Sequence, residues 1–165
     1  MSKSVEKRIL LMEKRLANME IFNFVKESNL IEGITRPPTN SEILEHDRFV
    51  DLPVITVAEL TRFLRVYQPG AKIRDEFGMD VRVGKHIPPE GNPDMPNILA
   101  ALLADIDDLT PFQMHLKYET LHPFMDGNGR SGRALWAWHM QSITGHAPYN
   151  FLQHFYYQSL DGSRL

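Results

Sequence analysis

His122, Asp126, Gly127, Asn128, Gly129, Arg130 and Arg133 fall within twelve consecutive residues, and their types suit the handling of a metal-bound polyphosphate. Glycines let backbone N–H groups approach an anion closely, and a turn that opens a helix adds amide dipoles favouring negative charge. Asn128 is a suitable cap for such a helix. If the helix starts there, Arg130 and Arg133 stand three residues apart on one face, so both guanidiniums can reach one chain of phosphates. Asp126 would repel that anion unless a divalent cation bridges them, as magnesium does with one or two carboxylates plus phosphate oxygens. His122, one turn upstream, is placed to accept a proton. A turn with a purely structural duty needs one glycine and one cap, far less than this set.

The run His122-Pro-Phe124-Met-Asp126-Gly127-Asn128-Gly129-Arg130-Ser-Gly-Arg133 resembles the signature of the Fic family, His-x-Phe-x-Asp/Glu-Gly-Asn-Gly-Arg-x-x-Arg, at every specified position. The resemblance implies transfer of a nucleoside monophosphate, usually AMP from ATP, onto a hydroxyl side chain of a target protein. It implies His122 as general base, Asp126 as magnesium ligand, and Gly127, Asn128 and Gly129 as the nest for the alpha and beta phosphates. Arg130 would bind the beta phosphate, Arg133 the gamma phosphate, and Phe124 would pin the loop to the core. The implied fold is all-α, a helical bundle with a small β-hairpin flap. One domain would span residues 1–165, with an N-terminal helix over 1–35 and a catalytic core over 36–165.

Ser28-Asn-Leu-Ile-Glu32-Gly33 resembles the family's inhibitory motif, Ser/Thr-x-x-x-Glu-Gly/Asn, in the subgroup that carries it on an N-terminal helix. The resemblance implies that Glu32 pairs with Arg133. A carboxylate on that guanidinium occupies the place of the gamma phosphate, so ATP is denied the pose for in-line attack. Two further assignments follow from the resemblance. Val83, Gly84, Lys85, His86 and Ile87 correspond to the flap, which takes an extended target segment by strand addition. Tyr156, with Tyr157 second, is the candidate to pack near the adenine. The same site could instead remove AMP or transfer another phosphate-containing group, and a low-turnover nucleotide-binding regulator or toxin–antitoxin component is a reading of a different class.

The 165 residues suit one domain with one core, and 42% apolar with 24% charged residues reads as an ordinary globular chain. A net charge of −3 supplies no basic excess for nucleic acid or anionic lipid. The absence of Cys removes disulfides, thiolate metal sites and Cys nucleophiles, and it fits a cytoplasmic protein. Lys3, Glu6, Lys7 and Arg8 interrupt the N-terminal apolar residues, unlike a signal peptide or membrane span.

The elements that must position the loop are helices. Residues 4 to 32 read as one, with a stripe of Val5, Ile9, Met12, Leu16, Met19 and Phe22 expected in the core, or else holding a second copy of the chain or an antitoxin-like partner. Arg36-Pro-Pro-Thr-Asn40 interrupts the periodicity, and a short helix is expected from Ser41. Thr56 and Glu59 form a capping box that opens a helix to about Tyr67. Val81 to Ile87 alternates before two prolines, as a strand or hairpin would. The stretch from Gly78 to Lys85 fails as a phosphate-binding P-loop, because His86 stands where a Ser or Thr must hold magnesium. Met95 to Asp107 reads as a buried helix with Ile98, Leu99, Leu102, Leu103 and Ile106 on its apolar face. Thr110-Pro111 starts a helix that delivers His122 at its end, a second helix leaves at Asn128 for about Ile143, and a final one is expected from Tyr149 to Leu160. None of the histidines is paired at the spacing of a zinc site, and none is assigned a metal.

Overall fold

A computed structural model describes residues 3–147. They form six helices: α1 (Lys3–Ile31), α2 (Asn40–Val50), α3 (Val57–Tyr67), α4 (Met95–Ala104), α5 (Pro111–Leu121) and α6 (Asn128–Thr144), with one 3-10 turn at Ile106–Asp108. The all-α expectation holds among these residues.

Helix α6 is the axis of the bundle, because α1, α2, α3 and α5 all pack on it. That demands a helix apolar or small nearly all round. Gly132, Ala134 and Ala137 let neighbours approach, while Leu135, Trp136 and Trp138 fill the gaps. Phe63 stacks on Tyr67 at 4.6 Å and meets Phe49 at 4.8 Å, joining α2 to α3. Trp138 donates to the Leu52 carbonyl at 2.7 Å, which satisfies the one polar atom of its buried ring.

The termini of the helices obey local chemistry. Thr56 caps α3 through the N–H of Glu59, and Thr110 caps α5 in a full box with Gln113. The cap of α2 lies two residues earlier than expected, because Thr39 rather than Ser41 supplies it and boxes with Glu42. The expected helix through Asp107 is broken after Ala104. Its last turn holds no basic residue and meets Asp105, Asp107 and Asp108, charges that the dipole disfavours at a C-terminus. Leu99, Leu103 and Ile106 are buried as expected, whereas Ile98 faces solvent.

Two expectations fail. The stripe of α1 is not core: Val5, Ile9, Met12, Leu16 and Met19 are exposed, and the residues that α1 buries are Ile21, Phe24, Val25, Ser28 and Asn29. Periodicity identified a face, but α2 and α6 receive the opposite face, near the other end of the helix. The β-hairpin flap over Val83 to Ile87 is reduced to one bridge between Val83 and His86. Gly84 adopts a φ of 58° within the alternating run, so Gly84 and Lys85 turn the chain where a strand would need extension, and the prolines at 88 and 89 remove the next ladder donors. The expected helix from Tyr149 to Leu160, with Tyr156 and Tyr157, lies outside the described residues.

Arg74, fully buried, ties the loops together without an ion pair. Its Nε donates to the His122 carbonyl (2.8 Å), its Nη2 to that of Leu121 (3.0 Å), and its Nη1 to those of Pro89 (2.7 Å) and Met79 (3.2 Å). The end of α5 has orphan carbonyls and a negative dipole end, so a guanidinium is a fitting cap. Arg74→Met leaves those carbonyls unpaired in the interior and should lower the unfolding free energy by about 2–4 kcal/mol, measured by urea titration. His46, wholly buried between Phe24 and Phe63, has its pKa pushed down to about 3 by burial. A folded pKa below the unfolded value means stability falls as pH drops through about 6.5, because the unfolded chain binds the proton first. This contribution should reach about 1.4 kcal/mol per pH unit below that point, and His46→Leu should flatten the slope in thermal melts between pH 7 and 4.

Candidate active site

Helix α5 ends at Leu121, and His122 occupies the C-cap in the left-handed region, with φ 50° and ψ 61°. It is the one non-glycine residue of positive φ among those described, a strained position in which His is tolerated better than most. Its N–H still donates to the Tyr118 carbonyl at 2.8 Å, and Arg74 holds its carbonyl. The chain therefore leaves α5 sharply, with the His122 backbone fixed at both polar groups.

The side chain of His122 is 14% exposed, and its Nδ1 lies 3.9 Å from Oε2 of Glu119, one turn earlier on α5. Glu119 is buried against α6. Gly132 makes that possible, since a Cβ there would overlap Glu119 Oε1. A carboxylate beside Nδ1 favours the tautomer with its proton on Nδ1. Sequence reading missed Glu119, although its i, i+3 spacing to His122 on a helix was a usable signal.

Phe124 is buried and forms a bridge with Ile73, in which Arg74 N–H donates to the Pro123 carbonyl and Met125 N–H to that of Lys72, each at 2.9 Å. The expected packing role of Phe124 is thereby seen. Asn128 is corrected: it is not the cap of α6 but its first residue. Its amide closes the loop on itself, donating to the Phe124 carbonyl at 2.7 Å and accepting the Phe124 N–H at 2.9 Å. Gly127 is the cap residue, at φ 81° and so close to Leu64 that a Cβ would overlap it. No side chain caps α6. Helix geometry leaves its first N–H groups without intrahelical acceptors, in the manner of an anion site.

Asp126 stands exposed at the tip of the loop, where Oδ1 accepts the Gly127 N–H at 2.7 Å. The other oxygen remains available to a hard cation that would share it with phosphate oxygens, so the donor set fits magnesium.

The two arginines of α6 differ. Arg133 is 2% exposed; its Nε donates to Ser28 Oγ at 2.8 Å, and its Nη2 donates to the Ser28 carbonyl at 3.0 Å and to Glu32 Oε1 at 2.6 Å. Ser28 is buried on the last turns of α1, and Glu32 follows the helix just before Gly33, which takes φ 76° and ends it. Gly129 lies under this ion pair, and a Cβ there would overlap Glu32 Oε1 and press on Arg133 Nη1. The glycine thus makes room for the carboxylate. Arg130 is also buried, but its contacts are long: 3.4 Å to the Tyr67 carbonyl and 3.3 Å to Gln68 Oε1. It is held at the end of α3, on loose bonds that a phosphate could replace.

The turn at 83–87 reaches the site at one point. His86 Nε2 lies 2.9 Å from the Thr120 carbonyl, two residues before His122, and since a carbonyl only accepts, Nε2 carries the proton. Ser28, Glu32, Gly129 and Arg133 thus meet in one cluster, His122 pairs with Glu119, Asp126 occupies the open tip, and Arg74, unmarked by any motif, fixes the loop that carries them.

A family model described as Fic/DOC family matches residues 55–140, from the residue before the α3 cap through most of α6. No described helix is long and apolar enough to cross a membrane. The match takes in a little over half of the chain and contains the whole loop whose geometry is given above; the chain belongs to the Fic/DOC family.

Proposed function

We propose that the chain is a protein adenylyltransferase that moves AMP from Mg-ATP to a Ser, Thr or Tyr hydroxyl of a target protein, and that Glu32 holds it in check. Family membership supports AMPylation or a related transfer of a phosphate-containing group. The observation that carries the finer reading is the Glu32 carboxylate seated on the buried Arg133 guanidinium at 2.6 Å, directly above Gly129. It puts an anion of the chain itself where a phosphate of the substrate would go.

In the proposed reaction His122 takes the proton of the target hydroxyl, and the resulting imidazolium is stabilised by the Glu119 carboxylate beside Nδ1. The hydroxyl oxygen forms a bond to the alpha phosphorus as the bond from that phosphorus to the bridging oxygen breaks, and pyrophosphate leaves. The free N–H groups at the start of α6 and the Arg130 guanidinium take up the charge that develops on the phosphates. Asp126 would hold magnesium, which when bound neutralises phosphate charge. Arg133 is needed to seat the gamma phosphate with the alpha phosphorus in line, and it is available only when Glu32 leaves. Ser28 keeps Arg133 in place in either state, because its hydroxyl and carbonyl accept from the same guanidinium.

The expected partners are ATP and a target protein. In a reaction with ATP labelled in its alpha phosphate, Glu32→Gly should raise label transfer to the chain itself or to lysate proteins by about tenfold or more, the equivalent of one charge-assisted hydrogen bond of about 1.5–3 kcal/mol. Unchanged labelling would refute the inhibitory role. In the Glu32→Gly background, His122→Ala should cut transfer by about a hundredfold to ten-thousandfold while ATP affinity stays within about twofold. Tight ATP binding by Glu32→Gly with no transfer to any protein would favour a nucleotide-binding regulator instead.

A further inference from the structure

The first two-thirds of α1 projects from the bundle with an apolar row that nothing in the described structure covers. Val5 is 43% exposed, Ile9 41%, Met12 63%, Leu16 54% and Met19 56%. Their spacings alternate four and three, which is the a/d seam of a heptad repeat with Ile9 and Leu16 at a and Val5, Met12 and Met19 at d. The next a position is Asn23, also exposed. A single polar Asn at a is a device that fixes register and two-strandedness.

We infer that this face is the interface of a parallel two-stranded coiled coil between two copies of the chain. The charges choose the occupant and its direction. In this register Glu6, Glu13 and Glu20 fill the e flank, and Arg8 and Arg15 the g flank. A parallel pair sets g of one helix against e of the next heptad on the other, so Arg8 faces Glu13 and Arg15 faces Glu20, each twice by symmetry. An antiparallel pair would set Arg against Arg and Glu against Glu. These charges do little for α1 on its own, since from Lys3 to Glu20 no acidic and basic residues stand four apart and the one pair three apart is Lys3 with Glu6.

The bundle leaves room for the second helix. At about 100° per residue, the face that α1 buries, centred on Ile21, Phe24, Val25 and Ser28, lies about 150° round the helix from the seam. Each domain would therefore sit on the outside of the pair. Leu10 and Leu11 lie off the seam and are not used by it. A lone helical extension of this length is marginal in water, which gives the seam a reason to be covered.

The test uses the full chain in sedimentation equilibrium and a disulfide trap. The unmodified chain should be a dimer at tens of micromolar. Leu16→Asp, at an exposed position that leaves the bundle intact by circular dichroism, should weaken the dimer at least about a hundredfold, because each copy buries a carboxylate in the seam. Arg8→Glu with Arg15→Glu should weaken it about tenfold or more, and adding Glu13→Arg with Glu20→Arg should restore it. The chain has no Cys, so Val5→Cys gives a single thiol that meets its own copy only in the parallel arrangement, and oxidation should link two copies. A monomeric chain, a dimer indifferent to Leu16→Asp, or a dimer that Val5→Cys fails to link would each overturn the inference, the first leaving the seam to another partner and the last to an antiparallel pair.

Discussion

A guanidinium withdrawn from water must find acceptors, and Arg133 finds Ser28 Oγ, the Ser28 carbonyl and Glu32 Oε1 at the end of α1. Burying that charge unpaired would cost several kcal/mol. The need welds the N-terminal helix to the axis of the bundle and fixes where α1 stops: Gly33 turns the chain at positive φ as soon as Glu32 has reached its partner. Under the proposed function, the same bond that completes the core also fills part of the place a phosphate would take. On the same proposal, a guanidinium that would serve phosphate is satisfied internally, and a ligand that uses Arg133 would have to replace Glu32 on it.

Around that bond, several local rules are broken where chemistry is expected. Helix α6, like α4, starts without a side-chain cap, while α2, α3 and α5 are capped. His122 bears a positive φ that a glycine would accept more easily, and Arg130 rests on two long hydrogen bonds. Each departure costs stability, and rigid neighbours hold it in place: Arg74 across four carbonyls, Asn128 across the loop, and the 2.7 Å bond between Tyr118 and Ser131 that joins α5 to α6. Preorganised donors in a rigid frame are what catalysis of phosphoryl-group transfer requires, since the protein contributes chiefly position and charge.

Much of this was legible in the order of residues because it depends on neighbours in the chain. Threonine caps, the proline at the start of α5 and the glycine after α6 act within a single turn, so α3, α5 and α6 fall where their signals place them. The loop from His122 to Arg133 could be read for the same reason: its chemistry is carried by twelve adjacent side chains. Less legible were features whose partners lie far away. Thr39 and Ser41 are both plausible caps, and the pairing of Glu42 with Arg36 and Thr39 favours the first. Alternation over Val81 to Ile87 gave the period of a strand but no ladder partner, and the chain turned at Gly84 instead.

The sequence by itself determined the helical class, the helices flanking the loop and the residue types at its centre, since each is set by interactions within a few positions. Only the tertiary structure decided which face of α1 is buried, that Arg74 carries the loop, that Asn128 closes rather than caps, and that Glu119 stands beside His122. The reason is that a periodic stripe or a lone charge specifies a demand for burial or pairing, and the packing of distant segments selects what meets it.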